Sequence, residues 1–454
     1  MIKNLLALLF LLTAIILIGL GCDGSEGTPE AATIQVDPTS VTTATAVPQP
    51  TSPTEPTILV DPETALADEP VAIQVLGLEP GQTITLRAFM RDDYSRKWES
   101  EATFVADSAG VVDVTTQVPV SGTYAVIDPM GLFWSMVPKA LAGRSAAFFR
   151  SDMSPIVVTL TAESDGETIG TSYLRRLPLA EDVEMSAVSE DGLVGFFFVP
   201  ETAGPLPALL VLGGSDGGMD FSKATMLASH GYATLALDYF GNEPLPLSLT
   251  EVPLEYFATA VAWLKSQEIV DDIKIGVVGT SRGGELALLL GANYPELFRV
   301  VVGYVASGLV NGNISSDGVG EKAAWTIGGE PVPFNVGSNR EEATIPVEKI
   351  QAPVLLISGK SDRLWPSTAW SEIAMNRLAE NNHPYPYEHL AYNNAGHWIG
   401  VPHWPTTGRD SITHPVTGGQ IWFGGTAEAN AFASADSWEH LLEFLESNLA
   451  QNES

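Results

Sequence analysis

Apolar residues in the second half of the chain fall in short unbroken runs, not in alternation with polar ones. Residues 207–212, 232–237, 274–278, 300–305 and 353–358 read this way, and 387–392 is a further strand-like run. A strand apolar on both faces belongs inside a parallel sheet covered by helices. The intervening segments 221–229, 254–265 and 285–290 carry sequence suited to those helices. Strands and helices in alternation predict an α/β domain built on a mostly parallel, doubly wound sheet.

The first half has a different texture. Residues 71–75, 83–89, 102–105, 111–114 and 156–162 are short strand-like runs, separated by turns such as Glu79-Pro80-Gly81. Many short strands between Gly and Pro turns predict an all-β, immunoglobulin-like sandwich. No cluster of nucleophile, base or metal ligands falls in it, so it reads as a structural or substrate-shaping module. A chain of 454 residues exceeds what one core supports, and two folded blocks are expected. The division predicted is a signal peptide over 1–21, a Thr/Pro/Ser-rich tether over 22–56, the sandwich over 57–182 and the α/β domain over 183–454.

The amino terminus predicts export. Lys3, an apolar run over 5–20, then Gly21-Cys22 and a polar stretch form a secretory signal. An uncleaved signal anchor is the alternative, although the run is short for a spanning helix. Cys22 is the only cysteine, which excludes an internal disulfide. Its place directly after the apolar run resembles a bacterial lipobox, implying lipidation of Cys22 and anchoring to the outer face of the membrane. The net charge of −33, from 55 acidic against 22 basic side chains, repels nucleic acid and excludes it as a partner.

The candidate chemistry lies in Gly279-Thr280-Ser281-Arg282-Gly283, between an apolar strand and a helical run. That is the setting of a nucleophile elbow, in which small residues two places either side of the serine let a strained turn expose its hydroxyl. A serine needs a base, and the base needs a carboxylate to fix its tautomer. In this fold the order is Ser, acid, His. Asp362, in the loop after the run 353–358, and His397, in Asn394-Ala395-Gly396-His397-Trp398, fall in that order. His403 is the nearest rival to His397; His230 and His383 lie near helix ends and His389 on a strand. The oxyanion hole is expected from the backbone N–H of Arg282 and, in the loop Gly213-Gly214-Ser215-Asp216-Gly217-Gly218, that of Ser215. Gly213, Gly214 and Gly217, with Trp365 and Trp398, are expected to line the substrate. No Walker-type Lys follows the glycines, no metal-ligand spacing is present, and no cofactor is expected. Residues 310–346 lack periodicity and fall where such folds insert a cap, so they are expected to set acyl specificity.

At these residues the chain resembles the acyl-CoA thioesterases together with the bile acid-CoA:amino acid N-acyltransferases, an α/β-hydrolase family. Asp128-Pro129-Met130-Gly131-Leu132-Phe133-Trp134, the stretch from Leu227 to Gly241, Gly279 to Leu286, Gly396-His397-Trp398-Ile399 with Pro402, and Ile421-Trp422-Phe423-Gly424-Gly425 carry the resemblance. It implies that Ser281, Asp362 and His397 occupy the triad positions. It also implies that an acyl thioester is attacked to give an acyl-enzyme, cleaved by water or an amino acid. The acyltransferase branch uses cysteine as nucleophile, so Ser281 tilts the expectation toward hydrolysis of an acyl thioester or carboxylic ester. Transfer to an amino acid is the alternative, and a non-catalytic surface-binding lipoprotein the second. The family works inside cells, whereas export would place Ser281 where coenzyme A is scarce; Arg282 and Arg363, near the site by motif, would offset the acidic surface locally. Acyl length and oligomeric state are not legible.

Overall fold

The computed structural model describes residues 55–139, 147–148, 153–337, 340–408 and 411–449. The expected signal segment, Cys22 and nearly all of the tether lie outside the described residues.

Eight strands form the main sheet: β1 (Val183–Val188), β2 (Val194–Pro200), β3 (Leu206–Leu212), β4 (Ala233–Asp238), β5 (Val270–Thr280), β6 (Val300–Tyr304), β7 (Val354–Gly359) and β8 (Tyr387–Tyr392). They lie in the order β1-β2-β4-β3-β5-β6-β7-β8. The pairs β1/β2 and β2/β4 are antiparallel and the rest parallel. This is the α/β-hydrolase architecture. Every residue of β4, β6 and β7 is buried, as their unbroken apolar runs require.

Helices cover both faces: α1 (Phe221–Ser229), α2 (Glu255–Ser266), α3 (Arg282–Asn293), α4 (Ser367–Glu380) and α5 (Ala427–Leu449). Phe257, Leu264, Leu286, Leu290 and Leu378 form one core with the sheet. Met226, Leu227, Trp438, Leu441 and Leu445 form another with α1 and α5. The Asp220 carboxylate caps α1 by accepting from the Lys223 N–H at 3.2 Å, a contact worth about 1 kcal/mol. Helix α3 begins at once after Ser281 and so is longer than the run 285–290 suggested. The segment after β6 is a set of small β elements. Gly312–Ser315 pairs with Gly318–Ala323, and Trp325–Ile327 lies between Val252–Pro253 and Glu330–Pro331.

The amino-terminal block is a sandwich. Strands Thr57–Asp61, Ala72–Leu76 and Val112–Asp113 form one sheet. The larger sheet is centred on Glu167–Leu177, Ile156–Ser164, Thr83–Arg91 and Lys97–Val105. Inward positions alternate strictly along Thr83–Arg91 and Lys97–Val105, and they enclose Trp98, Phe104 and Leu86.

Polar contacts join this block to the α/β domain. Thr406 N–H donates to Trp134 O at 3.0 Å. The buried Asp68 carboxylate accepts from His230 Nε2 at 2.6 Å and from Trp438 Nε1 at 2.7 Å. His403 lies at this junction, near Asp68 and Arg176, and burial followed by the Arg176 charge pushes its pKa down to about 3. The hydrogen bond with Asp68 raises the His230 pKa, with burial opposing it. A raised folded-state pKa gives stability that is complete below the unfolded value, about 6.5, and is lost as pH rises through the folded value. Denaturation midpoints followed upward from pH 6 should fall more in the native protein than in His230→Gln, by under about 1 kcal/mol for this partly exposed pair. Parallel profiles would show that the pair contributes nothing.

Candidate active site

Four loops at the carboxyl ends of β3, β5, β7 and β8 converge above the sheet, where ligands bind in open α/β folds. Ser281 sits between β5 and α3 with φ 57° and ψ −114°, a backbone conformation costly for a residue with a side chain. Two glycines make that turn possible. A Cβ on Gly279 would lie 2.0 Å from Gly283 O, and one on Gly283 would lie 2.4 Å from both Gly213 O and Leu212 O. The Ser281 N–H donates to Tyr304 O at 2.8 Å, fixing the turn to β6.

His397 reaches Ser281 from the loop after β8. Its Nε2 is 3.0 Å from Ser281 Oγ and its Nδ1 is 2.7 Å from Asp362 Oδ2. A carboxylate only accepts, so Nδ1 carries the ring proton and Nε2 faces the serine as an acceptor. The other Asp362 oxygen, Oδ1, accepts from the N–H groups of Leu364 at 2.9 Å and Trp365 at 3.3 Å. The His397 N–H donates to Phe423 O at 2.7 Å, and the Phe423 ring stacks on the imidazole at 6.1 Å. Asn430 Oδ1 on α5 accepts from Gly396 N–H at 2.7 Å. All three side chains, Ser281, His397 and Asp362, are nearly closed to solvent.

The glycine loop after β3 lies against Ser281. A Cβ on Gly214 would be 3.4 Å from Ser281 Cβ and 3.3 Å from Asp216 Oδ1. Ser215 follows it, and its hydroxyl is 3.0 Å from His414 Nε2. Among the described residues neither the Ser215 nor the Arg282 backbone N–H has an intramolecular acceptor. Of the two tryptophans expected at the substrate, Trp365 packs edge-on to His397 at 5.8 Å and donates its indole N–H to Val305 O. Trp398 packs against Phe423 at 5.0 Å.

Arg282, expected near the site to offset the acidic surface locally, has its charge neutralised inside the protein. Its guanidinium is buried, donates to Asn311 O at 2.8 Å, and lies 3.3 Å from Glu285 Oε1. Glu285 also accepts from Asn311 Nδ2 at 2.8 Å and Trp325 Nε1 at 3.0 Å, while burial raises its pKa. The pair ties the start of α3 to the segment after β6, and Arg363 is exposed. The hairpin turn of that segment contributes Ser315 and Asp317 to a cavity of about 380 Å³, walled also by Asp216, Ser248 and Val416. Asp216, Asp317 and three serines are among its lining, and among the described residues none of the lining is basic.

Tyr239, His414, Phe423 and Asn430 are the site residues missed by sequence reasoning. His414 is one of seven histidines in the chain, and nothing in the sequence around it points to Ser215.

Residues 68–190 match the acyl-CoA thioester hydrolase/BAAT N-terminal region, and residues 252–316 and 333–451 match the BAAT/acyl-CoA thioester hydrolase C-terminal domain. The chain is similar to acyl-coenzyme A amino acid N-acyltransferase 1 of Mus musculus, at 30% identity over 87% of this chain and 98% of that protein. It is likewise similar to acyl-coenzyme A thioesterase 1 of Homo sapiens, at 30% over 85% of this chain and 95% of the relative. The mitochondrial acyl-coenzyme A thioesterase 2 of Mus musculus is also 30% identical, over 87% and 90%.

Proposed function

This chain belongs to the acyl-CoA thioester hydrolase/BAAT family, and we propose that it hydrolyses acyl thioesters or carboxylic esters through a Ser281 acyl-enzyme. The observation that carries the reading is the unbroken contact from Asp362 through His397 to Ser281, set on a strained turn beside an open glycine loop.

In the first half-reaction Ser281 Oγ attacks the acyl carbonyl carbon while His397 Nε2 takes its proton. Asp362 stabilises the resulting imidazolium through Nδ1. The carbonyl oxygen becomes an oxyanion, held by the N–H groups of Arg282 and Ser215. The carbon–sulfur or carbon–oxygen bond then breaks, and the departing thiol or alcohol leaves with the proton from His397. Water repeats the sequence on the acyl-enzyme, releasing the carboxylic acid and restoring the Ser281 hydroxyl. An amine attacking in place of water would give an amide, the acyl-transfer alternative.

The departing group is tested by matched substrates. Purified protein is given a p-nitrophenyl ester and a coenzyme A thioester of one acyl length, at several salt concentrations. Hydrolysis is expected, with kcat/KM for the coenzyme A thioester rising with salt while that for the neutral ester stays level, because screening weakens the repulsion of an anion by an acidic site. Turnover of neither substrate contradicts the hydrolase reading. Amide formation when glycine or taurine is added would establish transfer.

A further inference from the structure

The loop that carries Ser215 is held by two side chains outside the Ser–His–Asp set. Tyr239, directly after β4, is almost wholly buried. Its hydroxyl donates to Gly213 O at 2.7 Å and lies 3.3 Å from Gly214 O. Both peptide bonds concerned are trans, since the cis bonds lie elsewhere, before Pro62 and Pro244. In a trans peptide the C=O and the following N–H point in opposite directions. Carbonyls drawn down onto Tyr239 therefore turn the Gly214 and Ser215 N–H groups away from the buried ring, to the open side of the loop.

His414 holds the same loop at Ser215. It lies just after the short strand Ser411–Thr413, and its ring is buried. Its Nδ1 accepts from the N–H groups of Val416 and Thr417, each at 3.2 Å. A nitrogen that accepts cannot carry the ring proton, so the proton is on Nε2, which donates to Ser215 Oγ at 3.0 Å.

We infer that Tyr239 and His414 are positioning residues of the oxyanion loop: Tyr239 sets its peptide planes and His414 pins Ser215, so the Ser215 N–H is oriented before a substrate arrives. The inference rests on the proposal that Ser281 is the nucleophile and Ser215 N–H an oxyanion donor. Orienting a donor in advance matters most in the transition state, where the charge develops, so its loss should lower kcat and leave KM nearly unchanged.

Three full-chain variants test this by steady-state kinetics, unfolding midpoint and the rate of Ser281 labelling by a fluorophosphonate. Tyr239→Phe removes only the hydroxyl. His414→Asn keeps an acceptor for the Val416 and Thr417 N–H groups and loses the reach to Ser215, whereas His414→Gln keeps a donor toward Ser215. Tyr239→Phe and His414→Asn are expected to lower kcat roughly 10- to 100-fold with KM within about twofold, and labelling should slow in parallel. His414→Gln should restore most of the rate. A rise in KM at constant kcat, or equal loss in the Asn and Gln variants together with a lowered unfolding midpoint, overturns the inference. If Tyr239→Phe does not fold, the His414 pair decides alone. Native protein that takes no label at Ser281 contradicts the nucleophile assignment instead, and the inference falls with it.

Discussion

Ser281→Ala is expected to lower kcat by roughly 10⁴-fold or more while leaving the unfolding midpoint near that of the native protein. The Ser281 hydroxyl makes its contact with His397 at 3.0 Å, whereas the backbone of the turn is held by the N–H bond to Tyr304 O. Removing Oγ thus deletes the proposed nucleophile and leaves the turn intact. Triad members act as a unit, so His397→Ala should fall to a similar residual rate, and the double variant should be little worse than either. Additive losses would mean that the two side chains do not cooperate. Initial rates on an activated ester, with thermal unfolding on the same samples, give both readouts.

Gly283→Ala should damage stability and activity together. A methyl group there would lie 2.4 Å from two backbone oxygens, those of Gly213 and Leu212. Backbone cannot rotate aside as a side chain would, so α3 must move off the end of β3. Overpacking of this kind costs about 3 kcal/mol, and the shift separates Ser281 from the Gly214–Ser215 loop. Gly400→Ala is the control, because its added methyl would meet only Lys223 Nζ, at 3.4 Å, and no backbone. Chemical denaturation should show a loss in Gly283→Ala and a change under about 1 kcal/mol in Gly400→Ala. A Gly283→Ala protein as stable as the native one would show that the elbow is looser than its contacts imply.

The parts of the molecule written locally were legible in its sequence. Runs apolar on both faces marked β3 to β7, because burial of both faces leaves no polar alternation. The glycine spacing around Ser281 marked the elbow, because the clash that Gly279 avoids, with Gly283 O, lies within five residues. The order of Asp362 and His397 followed from connectivity, since each loop leaves the carboxyl end of a strand.

What was not legible depends on distant residues meeting. Nothing near Tyr239 indicates that its hydroxyl lies under Gly213, and nothing near His414 indicates Ser215. Helix α5 was not singled out, although its buried positions Ala431, Ser434, Trp438, Leu441 and Leu445 recur at three- and four-residue spacing. The apolar stripe is diluted by small and polar residues at the contact with the sandwich. Motif position alone puts Arg282 near the site, where its charge would offset the acidic surface locally. Its spacing of three from Glu285 on α3 favours the buried pair actually formed.

The proposed reaction requires that Ser281 be a nucleophile activated by His397 and Asp362. Its most direct test is intact-protein mass spectrometry after exposure to a fluorophosphonate, followed by peptide mapping. One stoichiometric adduct on Ser281 is expected, absent in Ser281→Ala and formed much more slowly in His397→Ala. Folded native protein that takes no adduct, or takes it on another serine, would contradict the account.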